Sequence, residues 1–228
     1  MSMYGLIFDV DGVIADTEAV NVEVSIKVFA ELFGVRVRAV DFEAGLGRGA
    51  QEYMLAAARV HGLELSEAQV DKASQLRQDN FLKLLKERPL PAFPGVLELI
   101  RGAMSRDDFR VAIATSSTRE KSEAALRSAK VPYEQLVYIT GSEVKNKKPH
   151  PELFQRAVER LSVPAKRCVV IEDAPNGVQA AKAAGCKCVA VTNSTTAENL
   201  ARADLIVDSL EKVDVAILMN IVEDISAV

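Results

Sequence analysis

Asp9 and Asp11 are the first residues along the chain whose types and spacing point to chemistry. They lie two residues apart, after the apolar stretch Tyr-Gly-Leu-Ile-Phe at positions 4–8 and before Gly12. Side chains at i and i+2 of an extended backbone point the same way, so both carboxylates should share one side of a strand end. Two like charges held that close are costly unless a cation lies between them or one stays protonated. The spacing favours a hard-metal site with one carboxylate left for chemistry. The alternative is an ordinary Asp-Gly turn after a buried strand.

Three later polar clusters lie at the end of an apolar stretch or in the loop beyond one. They are Thr115-Ser116, Lys148 in the sequence Asn-Lys-Lys-Pro-His-Pro, and Glu172-Asp173. The carboxyl ends of parallel strands meet at one edge of a sheet, so we expect these clusters beside Asp9 and Asp11. Each cluster alone has a simpler explanation, as a helix cap, a solvated loop or a helix entry. Together with the pair of Asp9 and Asp11, the three clusters make four polar groups at or just beyond four predicted strand ends, which favours one shared site.

This set of groups is what phosphoryl transfer to an aspartate requires. We expect Asp9 to attack phosphorus and form an aspartyl phosphate. Mg²⁺ held by Asp9, the Asp11 backbone carbonyl and Asp173, together with the Lys148 ammonium, would offset the repulsion between a carboxylate and a phosphate. The Asp11 side chain, directed away from the metal, would protonate the leaving oxygen and later activate water.

Supporting roles fall to Glu172, Thr115 and Ser116 in this interpretation. Glu172 would support the metal shell or Lys148. Thr115, with neighbouring backbone N–H groups, would hold phosphate oxygens, and Ser116 is a further candidate for substrate binding.

Other nucleotide and nucleophile motifs are missing from the sequence: it has no G-x-S-x-G, no G-x-x-x-x-G-K-[ST] and no G-x-G-x-x-G after the first strand.

The elements that must position these residues are predicted from apolar spacing. Between the first strand and the rest, the chain is helical. The first helix begins near Asp16 and ends at Gly34; its apolar face consists of Ala19, Val22, Ile26, Phe29 and Phe33. A second helix ends near Val60. Ser66 and Gln69 predict a capping box that opens a third helix, which reaches about Lys86.

From residue 92 onward, strands and helices alternate, which is typical of a parallel sheet covered on both faces. Short strands are predicted at 110–114, 136–140, 168–171, 187–191 and 205–207. The predicted fold is α/β, a doubly wound parallel sheet in a Rossmann-like core with an inserted α-helical cap domain. We expect the core to comprise residues 1–15 and 92–228, and the cap, residues 16–91, to act as a lid over the strand ends.

Composition limits the partners. The net charge is −4 and the chain has no Trp, which argues against nucleic-acid binding. No apolar stretch is long enough to cross a membrane and no signal peptide is recognisable, so we expect a cytoplasmic protein. We also expect a monomer whose partner is a small phosphorylated metabolite. With two histidines in the chain, a histidine-rich zinc site is not available. We expect the three cysteines, Cys168, Cys186 and Cys188, to be buried and reduced.

These motifs resemble those of the haloacid dehalogenase superfamily of aspartate-nucleophile phosphotransferases, in its β-phosphoglucomutase-like phosphatase branch. The resemblance covers essentially the whole chain. The four motifs are Asp9-Val10-Asp11-Gly12-Val13, Ala114-Thr115-Ser116, Lys148-Pro149-His150-Pro151 and Ile171-Glu172-Asp173-Ala174-Pro175-Asn176-Gly177. The resemblance implies a Mg²⁺-dependent phosphatase. Asp11 argues against a dehalogenase, since dehalogenases of the superfamily lack this second aspartate.

The resemblance also singles out three residues of the cap. Arg48 and Arg77 fall where the mutases carry cations that bind the second phosphate or the sugar, and Asn21 stands where many relatives have a histidine. A phosphonate-cleaving relative would need a cap lysine that forms an imine with the substrate. Arg48 stands at the expected position, and a guanidinium cannot readily form that imine. A mutase must exclude water, and the loss of the histidine therefore favours hydrolysis over mutase activity.

Three functions stay open on the sequence alone. The first is a phosphatase of a small phosphorylated metabolite, most simply a sugar phosphate, and the second is a sugar-phosphate mutase. The third is a non-catalytic metabolite-binding protein on the same fold. The third is disfavoured because Asp9, Asp11, Lys148 and Asp173 are all present.

Overall fold

The computed structural model of the protein describes residues 3–45 and 49–224. The chain divides into two compact units, one of residues 1–16 and 91–228 and the other of residues 17–90. We name them the sheet unit and the helical unit. In chain order the strands are β1 Tyr4–Phe8, β2 Phe109–Ala114, β3 Val137–Ile139, β4 Cys168–Glu172, β5 Lys187–Val191 and β6 Leu205–Val207. The longer helices are α1 Thr17–Phe33, α2 Ala50–Val60, α3 Glu67–Glu87, α4 Val96–Met104, α5 Arg119–Ser128, α6 Glu152–Leu161, α7 Pro175–Ala183 and α8 Val215–Val222.

The sheet unit is built on six parallel strands in the order β3-β2-β1-β4-β5-β6. All five residues of β1 are buried, as expected of a strand covered on both faces. Gly5 in β1 pairs with Cys168 in β4, and a Cβ at Gly5 would lie 2.5 Å from the cysteine sulphur. The missing side chain therefore lets the two central strands pack closely. The strand order reverses at β1, which places the topological switch point there.

The predicted α/β class with a doubly wound parallel sheet is confirmed. As predicted, Cys168, Cys186 and Cys188 are buried free thiols. Helix α8 was not anticipated; its N-cap Asp214 accepts a hydrogen bond from the backbone of Ile217. Within the described ranges, no helix is long and apolar enough to cross a membrane.

The helical unit has an apolar core of its own, made by α1, α2, α3 and the turn at residues 39–45. Phe42 stacks on Tyr53 with ring centroids 4.8 Å apart, and both rings are buried with Phe29. The predicted capping box at the start of α3 is confirmed: the Ser66 side chain accepts from the Gln69 backbone, and the Gln69 side chain accepts from the Ser66 backbone.

The predicted apolar face of α1 is confirmed at Phe29, which is buried, and is misplaced elsewhere. Ala19 is exposed, and Val22, Ile26 and Phe33 are only partly buried. The buried side chains are Thr17, Val20, Asn21, Val24, Ser25, Val28 and Phe29. Apolar spacing misplaced the face because three of its members are polar. Ser25 Oγ donates to the Asn21 carbonyl at 2.6 Å, which satisfies that hydroxyl inside the fold.

Candidate active site

The carboxyl ends of the central strands carry the first predicted site residues. Asp9 directly follows β1, and its backbone N–H donates to the Ile171 carbonyl of β4 at 3.1 Å. Thr115 directly follows β2 and donates in the same way to Ile139 of β3 at 3.1 Å. These bonds extend the sheet pairing one residue past the strands, so Asp9 and Thr115 are held by the sheet rather than by a free loop. Both are buried.

Lys148 contacts side chains at the ends of two strands, β1 and β4. Its Nζ lies 2.7 Å from Asp9 Oδ1 and 2.5 Å from Glu172 Oε1, and its side chain is 7% exposed. The same Nζ lies over the ring of Phe154 in α6, 4.9 Å from the ring centroid. The loop that follows β3 therefore delivers an ammonium group between two buried carboxylates, as the sequence interpretation requires.

Glu172 is fixed on both of its oxygens. Oε1 accepts from Lys148, and Oε2 accepts from the backbone N–H groups of Asp173 at 2.9 Å and Ala174 at 3.1 Å. A Cβ at Gly177 in α7 would lie 1.8 Å from Oε1, so a glycine there leaves the space that this carboxylate occupies. These contacts support the predicted role of Glu172 in holding Lys148, while a direct bond from Glu172 to a metal stays a prediction.

Asp173 directly follows Glu172, the last residue of β4. It is buried, and Ser194 Oγ, from the loop after β5, donates a short hydrogen bond to its Oδ2. Gly12 has a φ of 77°, and a Cβ there would lie 1.9 Å from Asp173 Oδ2. The Gly12 turn therefore needs glycine both for its left-handed backbone and for the close approach to Asp173. Asn193 Nδ2 donates to the Gly12 carbonyl at 2.8 Å and holds the turn in place.

The buried charges of this cluster balance only when two of its carboxyl groups are protonated or a further cation is bound. Burial raises the pKa of Asp9 to about 7, against the opposing effect of Lys148. Burial and the Glu172 carboxylate raise the pKa of Asp173 well above its usual range. Burial opposes the charge of Lys148, but Asp9 and Glu172 more than offset it and raise its pKa. With Asp9, Glu172 and Asp173 all ionised, Lys148 compensates one negative charge and leaves two.

A divalent cation would compensate the two negative charges that remain when all three carboxyl groups are ionised. The donors on offer are carboxylate and backbone carbonyl oxygens, which suit Mg²⁺. In the part of the chain that the structure describes, no three Asp, Glu, His or Cys side chains form a ready-made metal cluster. An ion held by Asp9 and Asp173 would therefore complete its shell with backbone, water or substrate oxygens, which is how Mg²⁺ is usually bound.

Asp11 is turned toward the segment that follows β2. Ser117 Oγ donates to its Oδ2 at 2.6 Å and Lys121 Nζ to its Oδ1 at 3.3 Å. The hydroxyl of Thr115 accepts from the Ser117 backbone N–H at 3.1 Å, and Ser116 between them is half-buried. The segment thus links the predicted phosphate-binding residue to the predicted proton donor.

Sequence reasoning assigned no role in the site to four residues that contact it: Ser117, Lys121, Asn193 and Ser194. Three of them are hydroxyl or amide side chains in loops, where no periodic pattern marks them. Lys121 had one available signal, because a cation in the first turn of a helix opposes the helix dipole and so calls for a specific partner.

The predicted substrate-binding residues of the helical unit lie partly in one polar cluster. Asn21 is buried, and its Nδ2 donates to Glu18 Oε2 at 3.4 Å. Tyr53 OH donates to Glu18 Oε1 at 2.8 Å, and the Arg77 guanidinium lies over the Tyr53 ring, 5.0 Å from its centroid. Arg48 lies outside the described residues. Substrate binding by Asn21, Arg48 and Arg77 stays a prediction.

Comparisons with known proteins agree with this architecture. The family model described as haloacid dehalogenase-like hydrolase matches residues 6–191. The chain is 35% identical over 188 residues to the protein SUPPRESSOR OF QUENCHING 1, chloroplastic, of Arabidopsis thaliana, a match that covers 82% of this chain and only 17% of that protein. It is 32% identical over 186 residues to the phosphorylated carbohydrates phosphatase of Thermotoga maritima, covering 80% of this chain and 82% of the relative.

A solved structure shows the same fold along nearly the whole chain. CbbY of Rhodobacter sphaeroides, a mutant crystallised with xylulose-(1,5)bisphosphate, superposes with a TM-score of 0.84 at 28% identity. The superposition covers 95% of this chain and 99% of CbbY. With its parallel sheet and the family match over most of its length, the chain belongs to the haloacid dehalogenase-like hydrolases.

Proposed function

We propose that this protein is a Mg²⁺-dependent phosphatase that hydrolyses a small phosphorylated sugar through an aspartyl phosphate on Asp9. The observation that carries the proposal is the buried bridge of Lys148 between Asp9 and Glu172. It places one fixed cation beside a carboxylate at the switch point of the sheet, where α/β folds bind ligands.

In the first step an Asp9 carboxylate oxygen attacks phosphorus and the bond from phosphorus to the sugar oxygen breaks. The sugar oxygen leaves as an alcohol with a proton from the Asp11 carboxyl group. Lys148 stabilises the negative charge on the transferring phosphoryl group, and Thr115 with the backbone beside it holds the phosphoryl oxygens.

In the second step water attacks the phosphorus of the acyl phosphate. Asp11, now ionised, takes the proton from this water, and the bond from phosphorus to the Asp9 oxygen breaks. Inorganic phosphate leaves, and both aspartates return to their starting forms. The overall reaction consumes one water and one phosphomonoester and yields an alcohol and phosphate.

The role of Mg²⁺ follows from the uncompensated charge. When bound by Asp9, the Asp11 carbonyl and Asp173, it would supply electrostatic stabilisation of the phosphoryl group. Ser194 would orient Asp173 through the hydrogen bond to Oδ2, and Asn193 would fix the Gly12 turn next to it.

The substrate class rests on the relatives. The Thermotoga maritima protein is named a phosphatase of phosphorylated carbohydrates, and CbbY was crystallised with a sugar bisphosphate. Both proteins are thus described with a phosphorylated sugar, and we propose the same substrate class for this chain.

Both the reaction and the metal requirement can be tested on a panel of phosphorylated metabolites. We expect phosphate release from sugar phosphates with Mg²⁺, a loss of activity to background in a chelator, and recovery when Mg²⁺ is restored. As a readout independent of activity, Mg²⁺ should raise the melting temperature, since a ligand that binds only the folded state stabilises it. The Asp173→Asn variant should lose most of this increase.

The same panel separates hydrolysis from a mutase reaction. Each compound is scored for phosphate release and for an isomerised product, with and without a sugar bisphosphate primer. Isomerisation that needs the primer and releases little phosphate would replace the phosphatase by a mutase. Binding of a sugar phosphate with neither product would favour a non-catalytic protein.

A further inference from the structure

The carboxylate of Asp11 is held by two side chains to which the proposed mechanism gives no role. Ser117 Oγ donates to Asp11 Oδ2 at 2.6 Å, and Lys121 Nζ donates to Oδ1 at 3.3 Å. Lys121 Nζ also lies 3.4 Å from Ser117 Oγ, so the three groups form a closed triangle. Each oxygen of Asp11 has its own donor, which restricts the rotation of the carboxylate as well as its position.

The backbone that carries these donors is anchored at several points. Thr118 is the N-cap of α5, and its side chain accepts from the backbone N–H of Lys121. The Ser117 N–H donates to Thr115 Oγ1 at 3.1 Å, and the Ser117 carbonyl accepts from Gly141 at 2.9 Å. Lys121 and Ser117 are thus fixed to the segment that carries Thr115, at the end of β2.

The pair of Lys121 and Asp11 differs from an ordinary surface ion pair. The side chain of Lys121 is 15% exposed and that of Asp11 is 28% exposed, so solvent screens the pair less than it screens an exposed one. Lys121 is also the third residue of α5, where the helix dipole disfavours a cation. A lysine held at this helix end is compensated by the specific carboxylate that it contacts.

We infer that Lys121, together with Ser117, is a positioning residue that aims the Asp11 carboxyl group at the leaving oxygen. The inference deepens the proposed function and rests on it. A proton donor must lie within hydrogen-bond reach of the atom that receives the proton. A misplacement of about 1 Å at such a position can cost about 100-fold in rate. Lys121 acts through Asp11 and not on the phosphoryl group.

Such a role predicts that the decrease in kcat/KM caused by replacing Lys121 depends on the leaving group of the substrate. A sugar alkoxide is a strong base and needs a proton as its bond to phosphorus breaks, whereas p-nitrophenolate leaves without one. The ratio kcat/KM reports the steps up to departure of the leaving group. Lys121→Met should therefore lower kcat/KM for a sugar phosphate by about 10- to 100-fold, and for p-nitrophenyl phosphate by less than about threefold.

Three further variants complete the experiment. Lys121→Arg keeps a cationic donor and should restore most of the sugar-phosphate activity. Ser117→Ala removes the second donor and should show the same selective loss. Lys182→Met removes a lysine from a comparable pair with Asp204, 2.6 Å apart in the same unit, and should leave both substrates unchanged.

The outcomes distinguish this inference from the proposed function. If the wild-type protein hydrolyses no phosphomonoester, the proposed function fails and the inference fails with it. If the wild type is active and Lys121→Met lowers kcat/KM equally for both substrates, or for neither, the inference alone is overturned. A selective loss that Lys121→Arg restores supports it, because a purely structural defect would slow both substrates alike.

Discussion

Asp9→Asn is expected to reduce turnover of the preferred sugar phosphate by about 10⁴-fold or more. The asparagine side chain keeps the shape of the aspartate but offers an uncharged amide oxygen, which cannot form a stable acyl phosphate. Folding should be preserved, because Lys148 keeps the Glu172 carboxylate, 2.5 Å from its Nζ, as a partner when the charge of Asp9 is removed. Steady-state kinetics and thermal unfolding of the same preparation measure both effects.

Asp204→Asn provides the control for this variant. Asp204 is a carboxylate of the same unit that accepts from Lys182 and from the backbone of Cys188, and no role in the site is assigned to it. We expect its activity to remain within about threefold of the wild type, since surface substitutions away from the site have small effects. Asp9→Asn activity above about one hundredth of the wild-type value would rule out Asp9 as the nucleophile.

Lys148→Met is expected to lower both stability and activity. Removal of one partner from a buried ion pair leaves the other charge uncompensated and costs about 3–5 kcal/mol of unfolding free energy. Here the two carboxylates of Asp9 and Glu172 lose their shared cation. Turnover should fall by about 100- to 1,000-fold, because the phosphoryl group also loses a fixed positive charge. Denaturant unfolding and kinetics at saturating Mg²⁺ measure the two effects.

The neighbouring lysine is a matched control. Lys147 belongs to the same loop, but its ammonium donates to the Gly141 carbonyl at 2.6 Å and the residue is exposed. We expect Lys147→Met to lose no more than about 1 kcal/mol, the usual net value of one hydrogen bond. Equal losses of stability and activity in Lys147→Met and Lys148→Met would contradict the role given to the Lys148 bridge.

A double variant separates the structural part of the Lys148 effect from the catalytic part. Adding Glu172→Gln to Lys148→Met removes the second buried charge and should restore part of the lost stability. Activity should stay low, since the cation is still missing. Recovery of turnover in the double variant would mean that Lys148 serves only to keep the protein folded.

The positions of the strands were sufficient to predict which side chains meet at the centre of the candidate site. Lys148 and Glu172 were expected beside Asp9 from the rule that parallel strand ends share one edge. The shared orientation of Asp9 and Asp11 stays a prediction, because β1 ends at Phe8 and the two carboxylates contact different side chains. These arguments need only the strand positions, which long apolar stretches such as β1 and β4 mark clearly. The structure brings Asp9, Lys148 and Glu172 together at the distances that such a site requires.

Contacts between loops could not be predicted in this way. Lys121 is 110 residues from Asp11 in the sequence, and in isolation it looks like one charge among several on an exposed helix. Ser194 contacts Asp173 because β5, which precedes its loop, is the neighbour of β4 in the sheet, and this strand order was not predicted from the sequence. The apolar face of α1 was misplaced for a different reason: Asn21 and Ser25 are polar residues on the buried face, so the spacing of apolar residues does not mark them. The hydroxyl of Ser25 is satisfied within the helix, by the Asn21 carbonyl four residues earlier.

The aspartyl phosphate on Asp9 can be measured by chemical trapping. The protein is mixed with Mg²⁺ and p-nitrophenyl phosphate, quenched in acid during turnover, and treated with borohydride, which reduces an acyl phosphate to an alcohol but leaves a free carboxylate intact. Peptide mass mapping then locates the reduced residue. We predict homoserine in place of Asp9 in the wild type and no reduced carboxylate in Asp9→Asn. Homoserine at another carboxylate, such as Asp11, or an unmodified Asp9 throughout active turnover, would contradict the covalent mechanism.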